Sequence, residues 1–169
     1  MRDFNRKGFT LIEILIVVAI IAILASIVLV GLGPSQQAGR DARRLSDLRE
    51  VQTGLELYYN QCGFYPGGKQ ATAPCPNAWV EVKTWGGLTT ALTGTPGIAV
   101  NSVPNDPSSN ATYYYDSANN GSTYLIAAKL ENVGNSVFTN YTPPALSNGP
   151  NAIPAADTCG SGGFYCLSL

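Results

Sequence analysis

Hydrophobic and polar positions divide the chain into three textures. From Phe9 to Gly33 a single charged side chain, Glu13, interrupts an otherwise uncharged run. The apolar stretch Leu11 to Leu32 has 22 residues, and as a helix rising about 1.5 Å per residue it reaches about 33 Å, enough to cross a ~30 Å hydrocarbon core once. Gly31, Gly33 and Pro34 follow, residues that can break or kink a helix. Periodicity then resumes: Ala38, Ala42, Leu45, Leu48, Val51, Leu55 and Tyr58 recur at spacings of three or four, with charged residues between them, which predicts an amphipathic helix over residues 35–60. From Gln61 onward the pattern is short strands and turns. Residues 78–85, AWVEVKTW, alternate as a strand does, and GLTTAL reads as a short helical turn. TYYYDSANNGSTYLIAAKLE reads as a hairpin: with Asn120-Gly121 as a two-residue loop, Tyr115 faces Ile126 and Tyr113 faces Ala128, on a face expected to pack against the amphipathic helix. Residues 132–158, with Pro143, Pro144, Pro150 and Pro154, lack periodicity and are expected to form a surface lobe. The elements together predict an α+β fold, a long N-terminal helix whose second half packs on a small antiparallel sheet.

Composition changes this picture in three places. The chain has 169 residues, room for one modest domain, with most of its 18 Gly and 11 Pro after residue 60. A cleaved secretory signal also starts basic and turns apolar, but its apolar region is usually about 7 to 15 residues and ends at a small-residue cleavage site; this run is longer and no such region follows. Basic residues flank the span on both sides, Arg2, Arg6 and Lys7 before it and Arg40, Arg43, Arg44 and Arg49 after it, so the positive-inside rule does not orient it. Cysteines do. Cys62, Cys75, Cys159 and Cys166 are an even set in a chain without His, which reads as two disulfides in an oxidising compartment and places the C-terminal bulk outside the cytoplasm. Of the three possible pairings the sequence-local one, Cys62 with Cys75 and Cys159 with Cys166, is expected, because the intervening segments are rich in turn residues.

Candidate chemistry is sparse. No His, no nucleophile with a base, no phosphate loop and no paired-carboxylate motif is present, so an enzyme is not expected. Residues 60–169 carry three lysines and no arginine, so nucleic-acid binding by the head is not indicated. The basic cluster after the span reads as a solvated face supported by Arg43 and Asp47 at i,i+4, with anionic lipid headgroups as the alternative. Glu13 is the residue that needs a reason, since a carboxylate inside a bilayer costs on the order of 2.5 to 3.5 kcal/mol.

Arg6-Lys7-Gly8-Phe9-Thr10-Leu11-Ile12-Glu13, running directly into an apolar helix, resembles the class III leader and N-terminal helix of type IV pilins and type II secretion pseudopilins. DARRLSDLREVQTGLELYYNQCGFYP is similar to their helix-to-loop passage, and VPNDP with the hairpin is similar to the start of the pseudopilin sheet. Beyond about residue 131 the similarity is general. Such family members often carry a proline earlier in the helix, where this chain has none before Pro34.

The resemblance implies a pilin-like fold divided into a leader over 1–8, a transmembrane and filament-core helix over 9–34, an amphipathic helix over 35–60 and a disulfide-tied, β-rich head over 61–169. It implies that a membrane-embedded prepilin peptidase and methyltransferase cuts between Gly8 and Phe9 and methylates the new amino group of Phe9. Removal of the leader would take the formal net charge from −1 to −3, because it carries three cations and one carboxylate. Glu13 would then neutralise the Phe9 ammonium of an adjacent subunit. The expected partners are other copies of the chain in a homopolymeric filament, the peptidase, inner-membrane assembly machinery, and membrane lipid before assembly. The expected location is the inner membrane with an extracytoplasmic head, then a cell-surface or periplasmic filament. A type IV pilus subunit is the first expectation, because Cys159 and Cys166 resemble a pilin's disulfide-closed end. A type II secretion pseudopilin is the second, and an anchored binding module that never assembles is the third. No cofactor is expected except calcium, which major pseudopilins bind in a loop of the sheet. An EF-hand pattern from Asp116 lacks its third and twelfth ligands, leaving Asp106 and Asp116 as calcium candidates against a simpler role as turn caps.

Overall fold

A computed structural model describes residues 8–67, 75, 84–117, 121–144 and 159–169. The fold is α+β and pilin-like: helix α1 (Leu11–Cys62, 52 residues), helix α2 (Trp85–Gly94), strands β1 (Tyr114–Ser117), β2 (Tyr124–Lys129) and β3 (Phe164–Ser168), with a 3₁₀ turn at Ser136–Phe138 before β3. The chain divides into two compact units, Met1–Gln37 and Ala38–Leu169.

In the first unit α1 presents apolar side chains on every face. Leu11, Ile12, Leu15, Ile20, Leu24 and Ile27 are all more than half exposed, as is expected of a segment whose packing surface lies outside the monomer. It is long and apolar enough to cross a membrane. Pro34 lies inside α1, which continues through it. Proline removes one N–H from the ladder, yet its fixed φ near −65° is itself helical, so the flanking turns carry the helix through where the sequence allowed a break.

In the second unit the buried stripe of α1 differs from the apolar periodicity at its start. Leu48, Val51, Leu55 and Tyr58 are buried as expected, but Ala38 and Ala42 are exposed and Leu45 is half-buried. The stripe continues backward instead through Arg44 and Asp41, both buried and at the same three- and four-residue spacings. The helix face is set by geometry, and its first two positions are polar.

The sheet is antiparallel in the order β1-β2-β3. Tyr115 pairs with Ile126, as the hairpin pattern predicts; Tyr113 lies one residue ahead of β1 and is buried in the same cluster as Ala128. Asn120, half of the predicted loop, falls outside the described residues, while Gly121 takes φ +65°. One sheet face, with Tyr115, Ile126 and Ala128, packs in the core with Leu48, Val51, Leu55 and Tyr58 of α1, and the other carries Leu125, Ala127, Phe164 and Cys166. The structure joins Cys62 to Cys75 and Cys159 to Cys166. Cys75 is buried in the main core, which ties the end of α1 to it. The outer side of β3 is closed by Tyr141, whose hydroxyl donates to the Cys166 carbonyl (2.8 Å) and accepts from the Cys166 N–H (2.9 Å). An edge strand sealed in this way offers a poor template for strand addition.

Of the strand expected over residues 78–85, positions 78–83 lie outside the described residues, and Trp85 opens α2 instead. Thr84 explains the difference. Its hydroxyl accepts from the Gly87 N–H at 3.1 Å as an N-cap, while the Trp85 indole donates to the Pro104 carbonyl at 3.0 Å and packs edge-on to Tyr113. The expected helical turn GLTTAL is the middle of this ten-residue helix. Of the expected lobe, residues 145–158 lie outside the described residues. Residues 136–141 form the 3₁₀ turn and the Phe138–Tyr141–Tyr165 aromatic contacts.

Candidate functional site

The start of α1 carries a reciprocal cap. Thr10 immediately precedes the first helical residue, Leu11, and its hydroxyl accepts from the Glu13 N–H at 3.3 Å. Glu13 reaches back: its Oε2 accepts from the Thr10 N–H at 2.7 Å and from the Thr10 hydroxyl at 2.6 Å. This is the Ser/Thr-x-x-Glu capping box, which satisfies backbone donors that a helix start otherwise leaves without partners. In hydrocarbon such donors have no water to turn to. The pattern Thr10-Leu11-Ile12-Glu13 carries that signature in the sequence, although Thr10 is not among the expected site residues. Gly8 and Phe9 precede the cap. Phe9 is 83% exposed, and a Cβ added at Gly8 meets nothing within 4 Å among the described residues, so none of those demands glycine there. Any such demand comes from outside.

The second polar constellation lies in the head and centres on Arg44. Its side chain is 2% exposed, and its guanidinium engages Asp106 in a fork, Nε to Oδ2 at 2.7 Å and Nη2 to Oδ1 at 2.9 Å. Nη1 donates to Asp41 at 2.8 Å and Glu131 at 2.9 Å, and Nη2 also donates to the Ser108 hydroxyl at 2.9 Å. These contacts match the five N–H donors of a guanidinium in number. The carboxylates are held in turn. Asp41 accepts the backbone N–H groups of Glu131 (2.9 Å) and Asn132 (3.0 Å), Asp106 accepts that of Ser108 (2.8 Å), and Arg40 pairs with Glu131 from the surface. The clasp thus joins α1 to the segment before β1 and the segment after β2. One turn further on, Asp47 accepts from the buried Tyr113 hydroxyl at 2.7 Å, with Arg43 at 3.8 Å.

The solvated-face reading of the basic cluster therefore fails for Arg44. It holds better for Arg43, whose side chain is exposed beside Asp47 as expected. The calcium candidates are not brought together in a metal-binding group: Asp106 is occupied by Arg44, and Asp116 lies in β1, where it accepts the Ser117 N–H. Among the described residues no group of three His, Cys, Asp or Glu side chains is placed to hold a metal.

Hydrogen bonds from Arg40, then from Arg44, hold the Glu131 carboxyl down at about 2. Burial and then the Asp47 hydrogen bond hold the Tyr113 hydroxyl well above its ordinary range. The Glu131 shift sets a pH window. Because its folded value lies below the ~4.3 of an unperturbed Glu, its contribution to stability is present above about pH 4 and is lost as pH falls through about 2. Thermal unfolding of the detergent-solubilised chain between pH 5 and pH 2 is expected to show a falling midpoint. In Glu131→Gln that fall should be shallower; an unchanged slope would remove Glu131 from the acid response.

With both constellations in place, comparison with known proteins bears on the first. The family model "Prokaryotic N-terminal methylation motif" matches residues 3–29.

The chain opens with a prepilin-type methylation motif.

Gly8, Phe9, Thr10 and Glu13 all lie within it. Curated relatives extend the similarity past the motif. The chain is 30% identical over 67 residues to type II secretion system core protein G of Pectobacterium carotovorum subsp. carotovorum, covering 40% of this chain and 43% of that one. It is 32% identical over 77 residues to the same-named protein of Klebsiella pneumoniae (44% and 55%), and 32% identical over 66 residues to that of Escherichia coli K12 (39% and 46%). The chain spans about half the length of the curated relatives it matches. No solved structure matches it. The methylation motif together with the long apolar helix fits a chain anchored in the inner membrane with its head outside the cytoplasm.

Proposed function

We propose that the chain is a structural subunit of a type IV pilus-like extracytoplasmic filament rather than an enzyme. It is inserted in the inner membrane by α1, cleaved by a prepilin peptidase between Gly8 and Phe9, methylated at Phe9, and polymerised through its N-terminal helix. The observation that carries this reading is the start of α1: a methylation motif leads into a helix exposed on all sides, whose single early charge, Glu13, is held at the very end of the span. A helix apolar on every face needs a covering, which lipid supplies before assembly and neighbouring helices supply after it.

Processing is the direct test. Gly8 has open space around it among the described residues, so Gly8→Val is expected to leave the fold intact, and loss of cleavage in that variant reports the peptidase's own requirement. Mass spectrometry of the wild-type N-terminus should give methylated Phe9, and Gly8→Val should retain the leader. A chain beginning at Phe9 from Gly8→Val would overturn the assignment of the leader.

A second reading, a pseudopilin of a type II secretion system, is favoured by the relatives, which are type II secretion system core proteins G. Deletion separates the two. Loss of long surface filaments supports the pilus, and loss of exoprotein secretion with surface filaments intact supports the pseudopilin. An uncleaved, monomeric chain would favour an anchored binding module over both.

A further inference from the structure

Resting on the filament reading above, we propose that the head carries a second polymer contact, a heterologous one between neighbouring heads, in which Val133 and Lys129 of one copy dock into a groove beside Glu50 of the next. The groove runs between the second half of α1 and residues 99–104, with a volume of about 410 Å³, and is lined mainly by apolar side chains, among them Leu57, Leu92 and Val100. Gly54 lies in its lining, and there a Cβ would come within ordinary contact of Leu92 and Val100, so glycine keeps the groove deep. Leu57 is 45% exposed at its edge, and Ala99 in its wall takes φ +50°, a backbone conformation that a non-glycine residue adopts at a cost and that clusters at functional surfaces. Glu50, exposed at the rim, enters no ion pair among the described residues.

The complementary surface is at the other end of the head. Val133 is 69% exposed, more than any other large hydrophobic side chain of the described head, and it lies against Gly163. Lys129, exposed and also without an ion pair among the described residues, sits over the ring of Phe164, the next residue. An apolar knob beside a cation therefore matches an apolar groove beside a carboxylate, neither charge being in an ion pair among the described residues. Such complementarity fixes register and excludes wrong pairings more than it adds affinity.

The two surfaces lie at different levels of α1. The knob's segment is anchored through Glu131 and Asn132 to Asp41, whereas the groove borders Glu50 to Leu57. At about 1.5 Å per residue these levels are about 14 to 24 Å apart. Copies with their α1 helices parallel, as in one membrane, cannot seat knob in groove at equal height. One copy must shift along the helix, and a contact made by a shift is heterologous and does not close.

Paired cysteines test this in the full chain, expressed in a host that exports it. Glu50→Cys and Lys129→Cys combined in one chain are expected to give, on mild oxidation, a ladder of disulfide-linked multimers, and neither variant alone should do so. Dimers without higher species would show a closed pair and overturn the proposal. No cross-link in a variant that still yields sedimentable filaments would also overturn it while leaving the filament reading intact; a wild-type chain that never polymerises would remove both. Charge reversal gives a second measurement. Glu50→Lys or Lys129→Glu should each lower filament yield about fivefold, as a like-charge contact would, and the two together should restore it. Failure of the double variant to recover would assign the losses to the separate sites rather than to their contact.

Discussion

Arg44→Ala is expected to destabilise the head by about 3 to 5 kcal/mol, the range for removing one partner of a buried ion pair. The large figure comes from what remains. The side chains of Asp41 and Asp106 are both within 1% of complete burial, and without the guanidinium two carboxylates face each other's charge shielded from water. Asp41 keeps its two backbone donors and Asp106 keeps one, so part of the cost is met locally. Arg44→Lys should lie between wild type and Ala, because an ammonium restores charge but cannot fork onto Asp106 while reaching Asp41 and Glu131. Arg44→Met combined with Asp41→Asn and Asp106→Asn should recover much of the loss, since burying a broken network costs far more than doing without one. Urea unfolding of the detergent-solubilised chains, followed through the aromatic signal of the head, gives each value. An Arg44→Ala midpoint indistinguishable from wild type would show that the clasp contributes nothing net. α1 should stay inserted throughout, because none of these residues lies in the span.

How much of this the sequence revealed depends on whether a feature is local. The span, the hairpin register and both disulfides join residues near one another in the chain, and their signals are length, alternation and turn-rich spacing. The capping box is equally local, but a carboxylate in a membrane span points first to its charge, and only as the fourth residue of a helix start does Glu13 point back to Thr10. The clasp is different in kind. Arg44 meets Asp106 and Glu131 across 62 and 87 residues, and no spacing rule connects them. A trace of it was present nonetheless: carried back from Leu55, Val51 and Leu48, the helical period falls on Arg44 and Asp41. The apolar residues Leu45 and Ala42 point to a different face from the buried one over the first two turns. In α2 the two glycines after Trp85 argue against helix, and the Thr84 cap with the buried Trp85 and Leu88 outweighs them.

Glu13→Val and Glu13→Gln are expected to separate the two things that Glu13 does. In the monomer the carboxylate closes the Thr10 cap, and losing a cap of this kind costs about 0.5 to 2 kcal/mol. Removing a charge from the span gains on the order of 2.5 to 3.5 kcal/mol for insertion. The gain exceeds the loss, so Glu13→Val should insert at least as well as wild type and be cleaved normally. Glu13→Gln keeps an oxygen that accepts from Thr10, as Gln does in capping boxes, but brings no charge. If the cap were all that assembly needs, Glu13→Gln would assemble like wild type while Glu13→Val would not. In the proposed filament, however, the carboxylate leaves Thr10 to meet the Phe9 ammonium of a neighbour, in surroundings where an unpaired ammonium is costly. Both variants should therefore fail to form filaments as the sole subunit, each as a cleaved, methylated, membrane-held monomer. The measurement is sheared or sedimented polymer against membrane-retained subunit, with the N-terminal mass of the retained fraction. Wild-type polymer from Glu13→Gln would leave Glu13 as a helix cap alone and end the case for pairing between subunits.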